Sequence, residues 1–504
     1  MKRNKFSLSN FKLMTGNMGK LIPVNYYEVL PGDTVQQSTS FFMRFTPMVK
    51  PTMHPVHCRI HHFFVPYRLI WEDWEDFITG GPENSEGPVL PFYNLNFKLA
   101  PGTLPDYLGV PPADYTAHPF QFSMLPARAY ALIYNEWFRD EDIQNKVTLQ
   151  TFSGNDQSTN VELLNVAWEK DYFTSLRPWP QKGPAATIPI TPAPTVSAVG
   201  PLVGSNPLDL TSTDTPSKQG RIVTGAAAGD KAPLYLENDS DVPANQTGFK
   251  FPQSEVIASV PTNQFSGTIN DLRASFAVQR FAEARAQYGS RYVEYLRYLG
   301  VRSSDARLQR PEYLGGGKDT LQFSEVLQTA PASDSEVGDL TGHGIGSMKT
   351  KRYRRFFNEH GLVLSLMSVR PITIYGQAMP RFLLKKSQTD FFQREFQHIG
   401  EQEVNNKELS PSSNTATFGY QDRYDEYRSA VSTTAGQFRP GGSEVNWTLM
   451  RDFTTAPVLN SGFITCYPSN RIFADKNVDQ FQCMVRHSIQ ARRAISKTGR
   501  PGRL

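Results

Sequence analysis

"HPVHCRIHHFF", residues His54 to Phe64, sets four histidines and a cysteine into eleven residues. Two readings compete for it. On a helix, His57 and His61 would sit one turn apart on one face, the spacing of two metal ligands. On a strand, side chains alternate. Val56, Cys58, Ile60, His62 and Phe64 then fall on one side, and His57, Arg59, His61, Phe63 and Val65 on the other. Valine, isoleucine and phenylalanine favour strands, and Pro55 and Pro66 bracket the run as they would a strand. Residues four apart on a strand are roughly 13 Å apart, at about 3.3 Å per residue, so His57 and His61 cannot share one ion. The run is read as a half-buried strand whose imidazoles pack and hydrogen-bond. No metal and no cofactor is expected.

The rest of the chain agrees with a β protein. "STSFFMRFTPMV", "GLVLSLMSVRPITIYG" and "VDQFQCMVRHSIQARR" are further strand-like runs. Proline (37) and glycine (36) are abundant, which suits many turns between short strands. Helical patterns come as insertions. "YRLIWEDWEDFITGG" puts Trp74, Phe77 and Ile78 on one face and stops at Gly80 and Gly81. "LPARAYALIYNEWFRDE" starts near Pro126 and steps Tyr130, Tyr134, Phe138. "TINDLRASFAVQRFAEARAQYGSRYVEYLRYLG" opens on a Thr268/Asp271 capping pattern and breaks near Gly289. Its Leu272 and Phe276 share a face that is expected to pack into a core.

The 504 residues are 39% hydrophobic and 20% charged, the balance of a folded chain with ample core. Length alone allows about three domains. Cys58, Cys466 and Cys483 are too few for a disulfide framework, and a reducing compartment is the simpler reading. The first residues, "MKRNKFSLSNFKLMTGN", lack the apolar stretch of a secretory signal, and no apolar run approaches membrane-spanning length. No membrane insertion is expected.

Catalytic patterns are missing. "EYLGGGKDT" lacks the glycine and hydroxyl residue of a phosphate loop, at Glu312 and Asp319, so Gly315 to Gly317 read as a flexible turn. "GHGIGS" (342–347) has alternating glycines but no strand and helix to frame it as a nucleotide site. No HExxH, GxSxG or CxxC occurs. An enzyme is not expected. A hydrolase using the histidine run on an all-β scaffold stays as a remote rival.

Net charge is only +4, but its distribution is uneven. Lys2, Arg3, Lys5, Lys12 and Lys20 precede the first acid, Glu28. Arg486, Arg492, Arg493, Lys497, Arg500 and Arg503 follow the last, Asp479. Both ends read as basic arms able to contact nucleic-acid phosphates. The C-terminal segment holds no Tyr or Trp, so ionic rather than stacked contacts are expected there, with Lys2, Arg3 and Lys5 the weaker candidates. Trp71, Trp74, Trp137 and Trp179 are candidate interface anchors.

Five stretches carry a family resemblance: "HHFFVPYRLIWEDWEDFITGG" (61–81), "LPARAYALIYNEWFRDE" (125–141), "DYFTSLRPWPQKG" (171–183), "EYLGGGKD" (312–319) and "FGYQDRYDEYR" (418–428). In this order the chain resembles the major capsid protein of gokushoviruses, small tailless single-stranded DNA phages of the Microviridae. Residues 184–262, small and polar, show no such match.

The resemblance implies a mainly β fold, a viral jelly-roll β-sandwich of eight antiparallel strands with long helix-bearing insertions. It implies 1–183 and 263–504 as the two parts of the jelly roll. Residues 184–262 are read from their composition alone, rich in Ser, Thr, Gly, Asn and Asp, as a polar surface insertion and candidate threefold spike. The resemblance also implies self-assembly into a T=1 icosahedral shell around single-stranded DNA, assembled in the host bacterial cytoplasm. A small basic DNA-packaging protein, a scaffolding protein and a host cell-surface receptor are the implied partners. Sixty subunits at +4 carry about 240 positive charges, too few to neutralise a genome of a few thousand phosphates. A β-sandwich module that recognises carbohydrate or a receptor is the alternative function.

Overall fold

The histidine run is a strand, Val56–Pro66, as its alternation predicts. The computed structural model describes residues 3–80, 87–184, 269–288, 291–300, 309–327, 338–411, 415–453 and 457–497, with short pieces between 210 and 236 and residues 329 and 455. Residues 1–184 with 280–504 form one compact unit, and 185–279 a second. In the second, the described residues make two short antiparallel pairs, Leu210–Thr211 with Gln219–Gly220 and Ile222–Val223 with Tyr235–Leu236, and the first part of a helix, Ile269–Tyr288. Most of the expected insertion, 184–262, and the Thr268 cap lie outside the described residues.

Ten strands of the first unit form one antiparallel sheet. They are β1 (Asn4–Ser7), β2 (Asn10–Gly16), β3 (Leu21–Val29), β4 (Thr34–Phe45) and β5 (Val56–Pro66), then β6 (Glu312–Leu327), β7 (Leu340–Lys349), β8 (Tyr353–Phe356), β9 (Gly361–Pro371) and β10 (Phe481–Arg493). Eight of them follow the order β1-β10-β4-β7-β6-β5-β9-β3, while β2 pairs with β10 and β8 with β4. The long β6 joins the two halves. Its first part pairs with β5 and its last six residues with β7. The sheet thus folds over on itself as a jelly-roll sandwich. Ile22, Met43, Phe45, Cys58, Ile60, Met367, Phe481 and Val485 come from strands of both halves and pack as one core.

The alternation of β5 decides what each face meets. Val56, Cys58 and Ile60 enter the sandwich core. Phe63 and Val65 point the other way and are buried too, beneath Trp71, Leu104 and Tyr130. The expectation of a half-buried strand is corrected here: helices inserted after β5 cover its second face. These are α1 (Trp74–Thr79), α2 (Leu104–Tyr107) and α3 (Leu125–Ile133). Gly80 ends α1 in the left-handed conformation, φ 81°. Pro126 lies in the first turn of α3. Arg128 of α3 and Asp156 form a wholly enclosed ion pair at 2.8 Å, and the guanidinium also donates to the carbonyls of Ile70 and Phe152.

Gly315 to Gly317 are not a turn. They lie within β6, opposite β5. The ladder shifts register between Tyr313 and Gly315, and Gly315 has φ +134°, which marks a bulge. At Gly316 a Cβ would come within 2.1 Å of the Ile60 carbonyl oxygen, so only glycine lets the strands close. Leu272 and Phe276, on the helix α4 (Ile269–Tyr288), are exposed rather than packed.

Candidate nucleic-acid interface

The six strands β1, β2, β4, β7, β8 and β10 contain nine lysines and arginines and not one Asp or Glu. Their pairing decides which of these side chains share a face. Arg486 of β10 stands opposite Phe11 of β2 on one side and Ser40 of β4 on the other. Met484 stands between Leu13 and Phe42. Ser40 and Phe42 in turn face Lys349 and Ser347 of β7. Gln482 sits beside Arg44, and Arg492 beside Lys5. Because inward positions of these strands fill the core, the cations Lys5, Arg44, Lys349, Arg486 and Arg492 all emerge on the outer face.

Apolar side chains emerge among them. Phe11 is 64% and Leu13 79% exposed, and Phe42 and Met484 are exposed as well. The Arg486 guanidinium lies 5.5 Å from the Phe11 ring centre, and that of Arg44 5.5 Å from Phe42. A groove of about 570 Å³ runs along one margin, lined by Lys12, Met14, Phe42, Arg44, Tyr107 and Met484. The Lys12 ammonium donates to the carbonyls of Tyr107 at 2.6 Å and Pro23 at 3.1 Å, and burial pushes its pKa down to about 8. Exposed cations interleaved with aromatic rings are the elements that hold a single-stranded nucleic acid, by phosphate contact and by base stacking.

The structure redistributes the expected basic residues. The arms are strands for most of their described length. Arg486 and Arg492 are exposed on β10, Lys5 on β1, and Lys497 just beyond β10. Arg493 is folded back: its Nε is 2.9 Å from Asp33 Oδ2, and Nη2 donates to the Glu28 carbonyl. Arg3 donates to the Gly32 carbonyl at 2.8 Å and to Thr34 Oγ1 at 3.2 Å. Lys2, Arg500 and Arg503 lie outside the described residues. Phe11, Leu13, Phe42, Arg44, Lys349 and Met484 were not expected at the site. Their signal was the absence of acids from six separate segments, and it becomes a face only when the strands pair. The aromatic ring beside the C-terminal Arg486 comes from β2, and a second, Phe42, comes from β4.

Trp71 is fully enclosed by its own chain and its Nε1 donates to Ser153 Oγ at 2.7 Å, so it is a core residue and not an anchor for a neighbour. Trp74 packs against Trp71 and Tyr67, and Trp137 against Phe63 and Tyr313, each partly buried. Trp179 is partly buried with the Lys182 ammonium 5.7 Å from its ring.

The histidines make protein contacts. His54 Nε2 donates to the Ile372 carbonyl at 2.7 Å, while its Nδ1 accepts from the Leu449 amide. His57 Nδ1 contacts Glu169 at 3.0 Å, and His62 Nδ1 lies 2.8 Å from Ser365 Oγ. His61 packs on Phe63, Phe138 and Tyr313. Among the described residues no group of three His, Cys, Asp or Glu side chains could hold a metal ion, and no helix is long and apolar enough to cross a membrane. Cys58, Cys466 and Cys483 are buried free thiols.

The model of the capsid protein (F protein) family of phages matches residues 1–503. The chain belongs to this family of phage capsid proteins. It is similar to Capsid protein VP1 of Bdellovibrio phage phiMH2K, 35% identical over 92% of this chain and 87% of that one. It is also similar to Capsid protein VP1 of Chlamydia phage 1, at 32% over 96% of this chain and 92% of the relative, and of Spiroplasma virus 4, at 27% over 92% and 87%. The resemblance to Microviridae capsid proteins read from the five sequence stretches agrees with these relatives. This capsid protein has a structural role in the virion and is not an enzyme.

Proposed function

We propose that this capsid protein assembles with itself into a T=1 icosahedral shell that encloses a single-stranded DNA genome, with the outer face of β10, β4 and β2 turned toward the DNA. The observation that carries the genome-facing assignment is the acid-free group of six strands, whose exposed cations alternate with Phe11, Leu13, Phe42 and Met484. Binding there is sequence-independent, because neither phosphate contact nor stacking reads base edges. The low net charge of +4 leaves most genome phosphates to other cations, which gives a small basic DNA-packaging protein its role. A scaffolding protein guides assembly, which takes place in the host cytoplasm. Residues 184–262 project outward as a threefold spike that meets the host receptor, since a small, polar segment suits a solvated loop.

Electron microscopy and nucleic-acid quantification of particles from the expressed chain test this reading. Closed T=1 shells are expected, with DNA content lowered when Arg44, Arg486 and Arg492 become Gln. A discrete monomer or trimer that never closes would contradict the shell, and full DNA content in the triple variant would contradict the assigned face. Replacing residues 195–255 with a short Gly-Ser linker should leave assembly intact and abolish attachment to host cells.

A further inference from the structure

The opposite side of the molecule's sheet carries a second concentration of positive charge, one that the genome-facing assignment does not use. Along β6, β5 and β9 the register sets Lys318 directly opposite Arg59, and Arg370 directly opposite His57. Like charges in direct opposition, as Lys318 and Arg59 are, destabilise a ladder, so such pairing calls for a compensating anion. One is present. Glu169 Oε1 lies 3.0 Å from His57 Nδ1, 2.9 Å from Arg59 Nη2 and 3.9 Å from Arg370 Nη2, and its Oε2 lies 3.7 Å from Lys318 Nζ. Three permanent cations thus share a single carboxylate.

The donors are not used up. Arg370 Nη1 donates to the Ala167 carbonyl at 2.6 Å, but Arg370 Nε and Arg59 Nε are both buried without an acceptor. A buried guanidinium with idle donors is costly, more so where its charge is only partly offset. Side-chain exposure rises from 11% at Arg370 through 29% at Arg59 to 44% at Lys318, so the cluster opens to solvent on the Lys318 side. His61, packed close by and held neutral by burial with Arg370 and Arg59 beside it, adds no charge at neutral pH.

We propose that Arg59, Lys318 and Arg370, arranged around Glu169, form a site for a phosphate group. The charge count selects the ligand. Three cations and one carboxylate leave an excess of two, which a phosphate dianion neutralises and a single carboxylate or a chloride does not. The geometry selects it as well. Guanidinium N–H groups beside a lysine ammonium suit a tetrahedral oxyanion with several acceptor oxygens. The site is independent of the shell reading, since it lies on one chain.

Isothermal titration of the purified full-length protein with inorganic phosphate, at constant ionic strength set by chloride, tests the site. One saturable event per chain is expected. Lys318→Gln, a change at an exposed side chain, should weaken it, and Arg59→Gln with Lys318→Gln should weaken it by about tenfold or more, the effect of losing charged hydrogen bonds. Glu169→Gln should retain or tighten binding, an outcome that a merely damaged fold would not give. Competition by a short oligothymidine carrying a 5′-phosphate, but not by one without it, would identify a terminal phosphate as a source. Competition by both would identify the backbone, and by neither, free phosphate. Absence of saturable binding by the unaltered protein, or unchanged binding in the double variant, would overturn the proposal.

Discussion

Lys5 and Arg492 stand directly opposite one another in the ladder that joins the first strand of the chain to the last. Both are exposed, and neither β1 nor β10 contains an acid. Such a pair weakens the ladder by roughly 0.2–1 kcal/mol and gains when a polyanion lies across it. Replacing both residues by Gln should therefore have opposite effects in two assays. The subunit without DNA should unfold at equal or slightly higher temperature in low salt, while its affinity for single-stranded DNA falls. A loss of both stability and affinity would show that the pair is held by contacts within the chain.

The salt dependence of DNA binding separates the ionic from the stacking contribution on the same face. Each phosphate contact on a single strand contributes about 0.7 to the slope of log affinity against log salt. Arg44, Arg486 and Arg492 together changed to Gln should lower that slope by about 2. Phe11→Ala and Phe42→Ala should leave the slope unchanged and cost about 1–3 kcal/mol for each base that stacks. Fluorescence titration across a salt series measures both quantities. A slope that falls equally in the phenylalanine variants would mean that the rings do not stack on bases.

How far the sequence carried the fold is visible in particular residues. The period-two pattern of Val56–Pro66 gave the strand, because alternation is local. It did not give burial on both faces, since Leu104 and Tyr130, which cover Phe63 and Val65 together with the nearby Trp71, come from segments well beyond the strand. Gly315 to Gly317 read as a turn by composition, and their place in β6 depends on the approach of Ile60, some 250 residues away in sequence. The basic ends were legible as charge. Their joining as adjacent strands, with Phe11 and Phe42 from other strands set between cations, is a property of the sheet order. Single tryptophans carried least: Trp71 is as enclosed as any residue of the core.

The Arg128–Asp156 pair is a fold determinant at the base of the helical insertion. Asp156 also accepts from Thr159, and the Arg128 guanidinium caps two carbonyls. Removing one partner of such a buried pair leaves a charge without compensation, at a cost of about 3–5 kcal/mol. Asp156→Ala should lose about that much in chemical unfolding, and Arg128→Met with Asp156→Leu less than the sum of the two single changes. Additive losses would show that the two groups act independently.

Stability should fall in mild acid. Burial pushes His62 down to about 3 and His54, His61 and His487 to about 4. In the unfolded chain an imidazole titrates near 6.5. Between these values the unfolded state binds more protons, so the histidines' contribution is complete above about pH 6.5 and is lost as pH falls toward 4. Glu401 acts in the opposite sense. Burial, with Asp422 and Glu283 nearby, raises its pKa to about 8, so its contribution is lost as pH rises through 8. Four histidines outweigh one carboxyl group. The melting temperature should therefore drop from pH 6.5 to 5, more steeply in Glu401→Gln and less steeply in His62→Gln. A flat profile across that range would contradict the assignment.

Gly316 sets the distance between β6 and β5, and through it the joint between the two halves of the sandwich. A Cβ there meets the Ile60 carbonyl at 2.1 Å and the Tyr313 hydroxyl at 2.9 Å. The tyrosine can swing away; the carbonyl belongs to a strand held on its other side by β9. The added methyl group must therefore push β6 outward and strip hydrogen bonds from the ladder on either side of it. Overpacking of a fixed site costs about 1–3 kcal/mol, and lost ladder bonds add to that. Gly316→Ala should lower the melting temperature of the subunit and reduce particle yield. Gly441→Ala, at a positive φ with nothing within 4 Å, has strain but no clash and serves as the control. It should cost about 1 kcal/mol and assemble normally. If the two variants melted together, close approach to the Ile60 carbonyl would not account for the glycine at position 316.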